Sequence, residues 1–523
     1  MKVQALQVEI KTLSLFFIVL AIGLFSCNDN YDEHYSYKKG EKSELNVFDF
    51  IKSKEELSTF ANMLELSGYA DTLSRAQSYT VFAPTNDALK NVDLTDVENL
   101  KRMVGNHLAS HTLTTSTTLR GFNGKYLSLY KEEGKYFFFN KNTYATVTEA
   151  NLLTKNGIVH ILDKYLPYEF NIWEYIHGTA GMDSLSTFIN SMNVTEFDRE
   201  QSYDAGGVFI DSVFTTRNRI YNLGNINSEN WAYTALLPTN EAWIKAYDKI
   251  FPFYRSLSKT TGGVTQTGIE RQIERTKWAI VQDFLFHDYI NVPTQRDSLI
   301  STSGTKFYTP DYLFQGTSKV LLSNGYGYVT NAMNNKIEDS WAKNIEEEAE
   351  SNRYSLRLPS ACDINLHSSL GTGITASNNA YIRLANLPNG NIPRASVTFP
   401  IPNILSGVKY NIYVVFIPAN IDFPDEMCPY LVNIYLTHIN ASGRSQEFTL
   451  GSNMPTKTGE VTKLLVAENY EFPYCDLLET NDYRNEINVF LRIENIATTN
   501  QERAGEYSRK IGIDQIILES VIE

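Results

Sequence analysis

Two histidines, in His107-Leu-Ala-Ser-His111, have the i, i+4 spacing with which a helix presents a pair of imidazoles to one zinc ion. A metalloprotease built on such a pair needs a general-base Glu directly after the first His. Leu108 stands there, so the hydrolytic half of the site is missing. The better reading of His107 is structural, an imidazole hydrogen-bonded beneath a core. The sequence has no Gly-x-Ser-x-Gly elbow, phosphate loop or dinucleotide fingerprint. Gly325-Tyr-Gly327 lacks the third glycine and the following helix that such a fingerprint needs. Paired carboxylates for glycoside hydrolysis are defined by a separation of ~5–9 Å in space, and nothing singles out two of the 60 acidic residues. The expectation is a protein that binds without catalysing, with no cofactor and no metal.

Charge narrows what it binds. A net charge of −14 argues against nucleic acid, whose phosphates need a basic face. The 32 Tyr and 28 Phe suit β-rich modules with large cores and leave aromatics for flat ligands such as sugar rings. Cys362, Cys428 and Cys475 all lie in the last third, so at most one disulfide forms among them, of unassigned pairing. No Cys-x-x-Cys spacing marks a structural zinc site.

The elements that carry these residues come in pairs. Tyr79-Thr-Val-Phe-Ala-Pro-Thr-Asn-Asp-Ala-Leu89 is matched by Tyr233-Thr-Ala-Leu-Leu-Pro-Thr-Asn-Glu-Ala-Trp243. Val81 and Phe82 suit a buried strand. Pro84 and Pro238 end the ladder, and Thr85 or Asn86, like Thr239 or Asn240, can cap the next helix. Asn46-Val-Phe-Asp-Phe-Ile51 precedes the first phrase and Asn171-Ile-Trp-Glu-Tyr-Ile176 the second. Leu-Ser-Thr-Phe follows at 57–60 and at 185–188. Helical stretches bearing His107 and His287 come next, then Asn-Gly turns at Asn156-Gly157 and Asn324-Gly325. Five landmarks in one order predict two copies of one domain.

These landmarks resemble the fasciclin (FAS1) family. The first copy matches its signatures nearly completely, with Thr-Val-Phe-Ala-Pro-Thr-Asn-Asp-Ala and an Asn-Gly-x-x-His-x-x-Asp run ending in His160 and Asp163. In the second copy Tyr328 or a neighbour replaces that His, no Asp follows, and Ser256–Gly268 is an insert. The resemblance covers roughly 45–335. It implies an α+β fold in which Pro84, Thr85, Asn86, His107, Asn156, Gly157, His160, Pro238, Thr239, Asn240 and His287 are fold signatures rather than catalytic groups.

The N-terminal region reads as a processing signal. Leu13–Leu24 is an apolar run of 12 behind Lys2 and Lys11, too short for the ~20 residues of a spanning helix. Leu24-Phe-Ser-Cys27 resembles a bacterial lipobox, which implies lipid attachment at Cys27; a plain secretory signal with an incidental Cys is the alternative. Two or more acyl chains anchor stably where one does not. Asn28-Asp-Asn-Tyr-Asp-Glu33 resembles the acidic segment of cell-surface lipoproteins of Bacteroidota, which implies an outer-membrane protein facing the exterior. Thr72, Ser184, Ser212 and Ser298, each after Asp and before an aliphatic residue, resemble O-glycosylation acceptors of those bacteria.

Beyond an acidic, helical, solvent-facing stretch at Ile337–Glu350 the pattern turns to strands of period two, such as Lys409–Ile417, Leu431–His438 and Glu486–Ile493. An antiparallel, jelly-roll-like sandwich follows as the expectation. Its closing Ile511-Gly-Ile-Asp-Gln-Ile-Ile-Leu-Glu519 looks like the last strand of carbohydrate-binding modules. The expected division is 1–26 signal peptide, 27–44 tether, 45–168 and 169–336 fasciclin-like domains, 337–352 linker and 353–523 sandwich. Together these features look like lipoproteins that accompany SusC/SusD-type importers, with a transporter or SusD-like lipoprotein and a glycan as partners. The alternative is an adhesin. On this reading the fasciclin-like copies meet the membrane partner and residues after about 350 meet the soluble ligand.

Overall fold

The computed structural model describes residues 42–111, 116–140, 143–351, 362–386, 394–422, 424–479 and 487–521. Cys27, with the signal and nearly all of the tether, lies outside the described residues. The chain divides into two compact units, Met1–Glu169 and Phe170–Glu523.

In the first unit, Asn46 accepts from the Asp49 N–H and so starts α1 (Val47–Ser53), followed by α2 (Ser58–Leu66) and α3 (Tyr69–Leu73). β1 (Tyr79–Pro84) is buried at all six residues. After α4 (Val97–Asn106) come β2 (Leu108–Ser110), β3 (Thr117–Arg120), β4 (Tyr126–Glu132), β5 (Lys135–Phe139), β6 (Tyr144–Thr154) and β7 (Gly157–Leu162). They form one sheet in the order β2-β1-β7-β6-β5-β4-β3, in which β1 runs parallel to β7. The helices bury Val47, Phe60, Leu64 and Val104 with Val81 and Val159. Phe82, Leu129, Phe138 and Leu162 form a second core. Each such side chain contributes ~1.5–3 kcal/mol by leaving water. The helix expected directly after Pro84 is instead a series of turns over 86–91.

The second unit opens with the same arrangement. It comprises α5 (Ile172–Gly178), α6 (Asp183–Ser191), a ribbon of β8 (Asn193–Phe197) and β9 (Phe214–Asn218), and β10 (Tyr233–Pro238). α7 (Asn240–Ile250) follows. The Ser256–Gly268 insert is a hairpin of β11 (Lys259–Thr261) and β12 (Val264–Gln266). Its turn is Gly262-Gly263, with φ of +59° and +81°, values an L side chain resists. Thr267 and Glu270 then form a capping box that starts α8 (Gly268–Val281). β13 (Leu285–His287), the short pair β14 (Leu299–Ile300) and β15 (Lys306–Phe307), β16 (Ser318–Leu322) and β17 (Gly325–Thr330) complete the part, in a sheet ordered β13-β10-β17-β16. The parallel pair keeps its register across the two units. Tyr79 to Pro84 face Gly157 to Leu162, and Tyr233 to Pro238 face Gly325 to Thr330.

The remaining strands are antiparallel: β18 (Ile345–Glu348), β19 (Cys362–Ser368), β20 (Ala380–Asn386), β21 (Ser396–Pro400), β22 (Lys409–Ile417), β23 (Leu431–Ile439), β24 (Ser445–Pro455), β25 (Thr462–Glu471), β26 (Phe490–Asn495) and β27 (Ile511–Val521). One sheet has the order β19-β20-β27-β22-β25, with β18 also on β27, and the other the order β21-β26-β23-β24. In β23 every second residue is buried, the period expected of a strand with one face inward.

The 337–352 stretch corrects the linker expectation. Only Ile337–Ser340 is helical, for one turn, and β18 pairs with β27 from Ile345–Leu518 to Glu348–Gln515. Buried Ala342, Ile345 and Ala349 carry the stretch inward despite its acids. The border between 169–336 and 353–523 disappears with it. One core runs continuously from Ile172 to Leu518, and backbone bonds from Ser406 N–H to Phe253 O and from Cys475 N–H to Arg255 O join the two parts. Among the described residues no disulfide joins Cys362, Cys428 and Cys475.

Candidate functional site

The signature residues prove to be fasteners of backbone ends. Asn86 does not cap the segment after it. Its Oδ1 accepts from Thr59 N–H at 2.9 Å and its amide donates to Glu55 O, which clips the start of α2. Asn240 does the same to α6, accepting from Ser184 N–H at 2.9 Å. The threonines hold the local cap, Thr85 accepting from Ala88 N–H and Thr239 from Ala242 N–H. Asn156 accepts from Val47 N–H and donates to Leu73 O and Arg75 O. Asn324 accepts from Ile172 N–H and donates to Ile226 O and Ser228 O. The glycines after them serve close approach: a Cβ on Gly157 would lie 2.3 Å from Tyr79 O, and one on Gly325 would lie 1.9 Å from Tyr233 O.

His107 caps the C-terminus of α4, and residues 108–110 are strand, so His107 and His111 share no helix face. Leu166 N–H donates to Nε2 at 3.1 Å, which leaves the proton on Nδ1, 2.8 Å from Phe82 O. Burial pushes its pKa down to about 4. Both ring nitrogens are occupied by backbone, which leaves none for a metal. His160, fully buried, stacks on Phe82 at 5.1 Å, and Tyr328 holds its place in the second unit opposite Leu236, donating to Asn291 O at 2.6 Å.

Two landmarks are corrected. His287 pairs with Tyr233 and is exposed, so its counterpart is Ser110, and the counterpart of His107 is Phe284. Phe82 N–H bonds His107 O, and Leu236 N–H bonds Phe284 O. Leu-Ser-Thr-Phe is likewise out of step, because the Asn86 and Asn240 clips equate Thr59 with Ser184 rather than with Thr187. Of the four acceptor residues, Ser212 is exposed, while Thr72, Ser184 and Ser298 are half-buried.

A cleft of about 980 Å³ opens in the second unit, between α8 and the loops around Asn403–Leu405 and Leu477–Glu479 that join the C-terminal strands. Arg271, Arg275 and Trp278 on α8 and Gln282 at its C-cap recur at helical spacing, and all four line it, as does Trp341. At one end Arg271, Arg275 and Lys259 converge on Glu479 at 2.8, 2.5 and 2.5 Å. Burial alone would raise the Glu479 pKa, but the hydrogen bonds from Lys259, Arg271 and Arg275 hold it down to about 2. A smaller cavity of about 220 Å³ adjoins the same cations and is lined by His438, Tyr474 and Asn488. No local motif in the sequence marks this site. Its available signal was Arg271 and Arg275, like charges one turn apart, which repel unless an anion lies between them. Among the described residues no group of three or more His, Cys, Asp or Glu is placed to hold a metal ion.

Comparison with known proteins agrees with the first unit. Residues 55–168 match the Fasciclin domain family model. Periostin of Homo sapiens is 27% identical over 134 residues, 24% of this chain and 16% of periostin's own length. Among solved structures, a FAS1 domain pair from the insect cell adhesion molecule Fasciclin I matches 56% of this chain and 97% of its own, at 12% identity and a TM-score of 0.21. The CBM22-1 xylan-binding domain of Paenibacillus barcinonensis Xyn10C matches 34% of this chain and 94% of its own, at 7% identity and a TM-score of 0.24. By the family-model match, residues 55–168 are a fasciclin (FAS1) domain.

Proposed function

We propose that the protein is a non-catalytic surface lipoprotein, anchored through Cys27, that holds a glycan in the cleft beside α8. It is read as two tandem fasciclin-like domains and a jelly-roll-like sandwich, serving as an accessory to a SusC/SusD-type uptake complex. The cleft carries the reading: two tryptophans and several polar side chains line a volume large enough for an oligosaccharide. Aromatic faces and side-chain donors together are what sugar rings need. The cleft is built from both parts of the second unit, so a ligand-binding role for residues after 350 alone is replaced by one for 170–523.

Affinity electrophoresis of the full chain through gels containing a polysaccharide panel tests this. Retardation that Trp278→Ala weakens supports the reading, and no retardation on any polysaccharide removes it. Co-purification of an outer-membrane transporter tests the accessory role.

One observation favours an adhesin. The β8–β9 ribbon and its connection expose Phe197, Val208, Phe209, Ile210 and Phe214, an apolar surface suited to protein contact. Binding to cells or matrix proteins, with no polysaccharide retained, would decide for that role.

A further inference from the structure

The charged groups that line the cleft are spent on the protein itself. Arg271 and Arg275 each bond Glu479, at 2.8 and 2.5 Å, with side chains only 11% and 13% exposed. Further N–H groups of both go to protein acceptors, from Arg271 to Leu257 O at 2.7 Å and from Arg275 to Ser256 Oγ at 2.8 Å. Arg219 pairs with Glu274 at 3.2 Å, and the second oxygen of Glu274 accepts from the Gln266 amide. Glu270 accepts from the Thr267 N–H and hydroxyl at the start of α8. Among the described residues Lys277 is the one lining cation without a carboxylate partner, and its amine lies 6.0 Å from the Phe188 ring centroid at the cleft wall.

An anion entering the cleft has to take a guanidinium from a carboxylate already bonded to it. Such an exchange gains little over the pair it breaks, because the new anion meets the same donors that Glu479 or Glu274 already holds. A neutral sugar faces no exchange. The side chains of Trp278, Trp341 and Gln282 line the same cleft and form no hydrogen bond with the described residues. Their indole N–H groups and amide are left for sugar hydroxyls, and the indole rings for the apolar faces of sugar rings. From Arg271 to Gln282 the lining stripe is roughly 16 Å long at ~1.5 Å per residue, which fits a chain of sugars rather than a single one.

We propose that the cleft selects a neutral oligosaccharide over an anionic one, with Trp278, Trp341 and Gln282 as its contacts and the Arg–Glu pairs as a closed wall. This rests on the glycan-binding reading above and gives it a ligand class. Its signature is an affinity that ignores salt, because the ligand brings no charge to be screened.

The test is calorimetric titration of the full chain with galactomannan, mixed-linkage β-glucan and amylose as neutral polymers and with polygalacturonate and dextran sulfate as anionic ones. At least one neutral polymer is expected to bind, with a Kd that changes by less than about twofold between low and high salt. Trp278→Ala should loosen it by about tenfold and Gln282→Leu by about fivefold, the scales of a lost ring contact and a lost hydrogen bond. Lys277→Gln and Lys259→Gln should leave it unchanged. Melting curves report which variants have folded. Where Trp278→Ala has not, Trp278→Phe, which keeps a ring and loses the N–H, should show a smaller loss. An anionic polymer bound as tightly as the neutral ones, or more tightly, would overturn the selection and leave the glycan reading standing. Neutral binding that the Trp278 and Gln282 variants leave intact would put the ligand outside the cleft and overturn both, as would failure to bind any of the polymers.

Discussion

His107 and Phe284 occupy the same place in the two units, each offering its carbonyl to the strand residue that follows Val81 or Ala235. Only His107 adds side-chain bonds, to Phe82 O and from Leu166 N–H. One unit has fastened this corner by hydrogen bonding and the other by an apolar ring.

That difference gives the first unit a sensitivity to acid. The folded pKa of His107 is about 4 against an ordinary 6.5, so below pH 6.5 the unfolded chain takes up a proton that the folded one refuses. Stability is full above pH 6.5 and falls as pH drops toward 4, by ~3 kcal/mol at ~1.4 kcal/mol per unit. His107→Phe should cost ~1–3 kcal/mol at pH 7 for the lost bonds, yet flatten this dependence. Denaturant unfolding at pH 7, 5.5 and 4 measures both; a variant that keeps the wild-type slope contradicts the assignment.

Asn156→Ala and Asn324→Ala each strand one buried N–H and two carbonyls. A loss of ~2–4 kcal/mol is expected from each, since unmade bonds in a core cost more than made ones gain. Asn324 is fully buried and should show the larger effect. Equal melting temperatures for variant and parent would refute the fastening role.

Gly157→Ala and Gly325→Ala bring a methyl into the neighbouring strand's carbonyl. Parting the parallel pair should cost ~3 kcal/mol or more. The Gly134→Ala change, at an open turn where nothing lies within 4 Å of the new Cβ, should cost less despite its positive φ. Thermal melts that rank Gly134→Ala as the worst would reverse this.

Cys27→Ala removes the thiol that would receive lipid. The variant should appear in soluble fractions or remain unprocessed, as read by membrane fractionation. Retention in the outer membrane at parental levels would exclude the anchor.

What could be read from the sequence follows a physical line. Pro-Thr-Asn, Asn-Gly and the leading Asn residues align in register because each performs a backbone task at one position only. Leu-Ser-Thr-Phe and His287 agree with the first copy by letter only and stand three residues out of structural step. Three is close to one helical turn, so Leu57–Phe60 and Leu185–Phe188 still presented apolar faces to their cores. The cleft was harder to see because Glu479 lies 220 positions from Lys259, and no local pattern encodes that meeting. The fused second unit is hidden by the acids of β18, whose charge suggests solvent although Ala342, Ile345 and Ala349 around them are buried.

The strand Ile511–Val521 lies between β18 and β20 on one side and β22 on the other. Its partners lie as far back as Ile345, so the larger sheet stays open in the middle until the last strand arrives. Partners so remote in sequence make closure slow. In a chain emerging in order, the first unit can finish early, while the second waits with an unfilled slot, exposed to chaperones and proteases, until residue 511 and beyond are available.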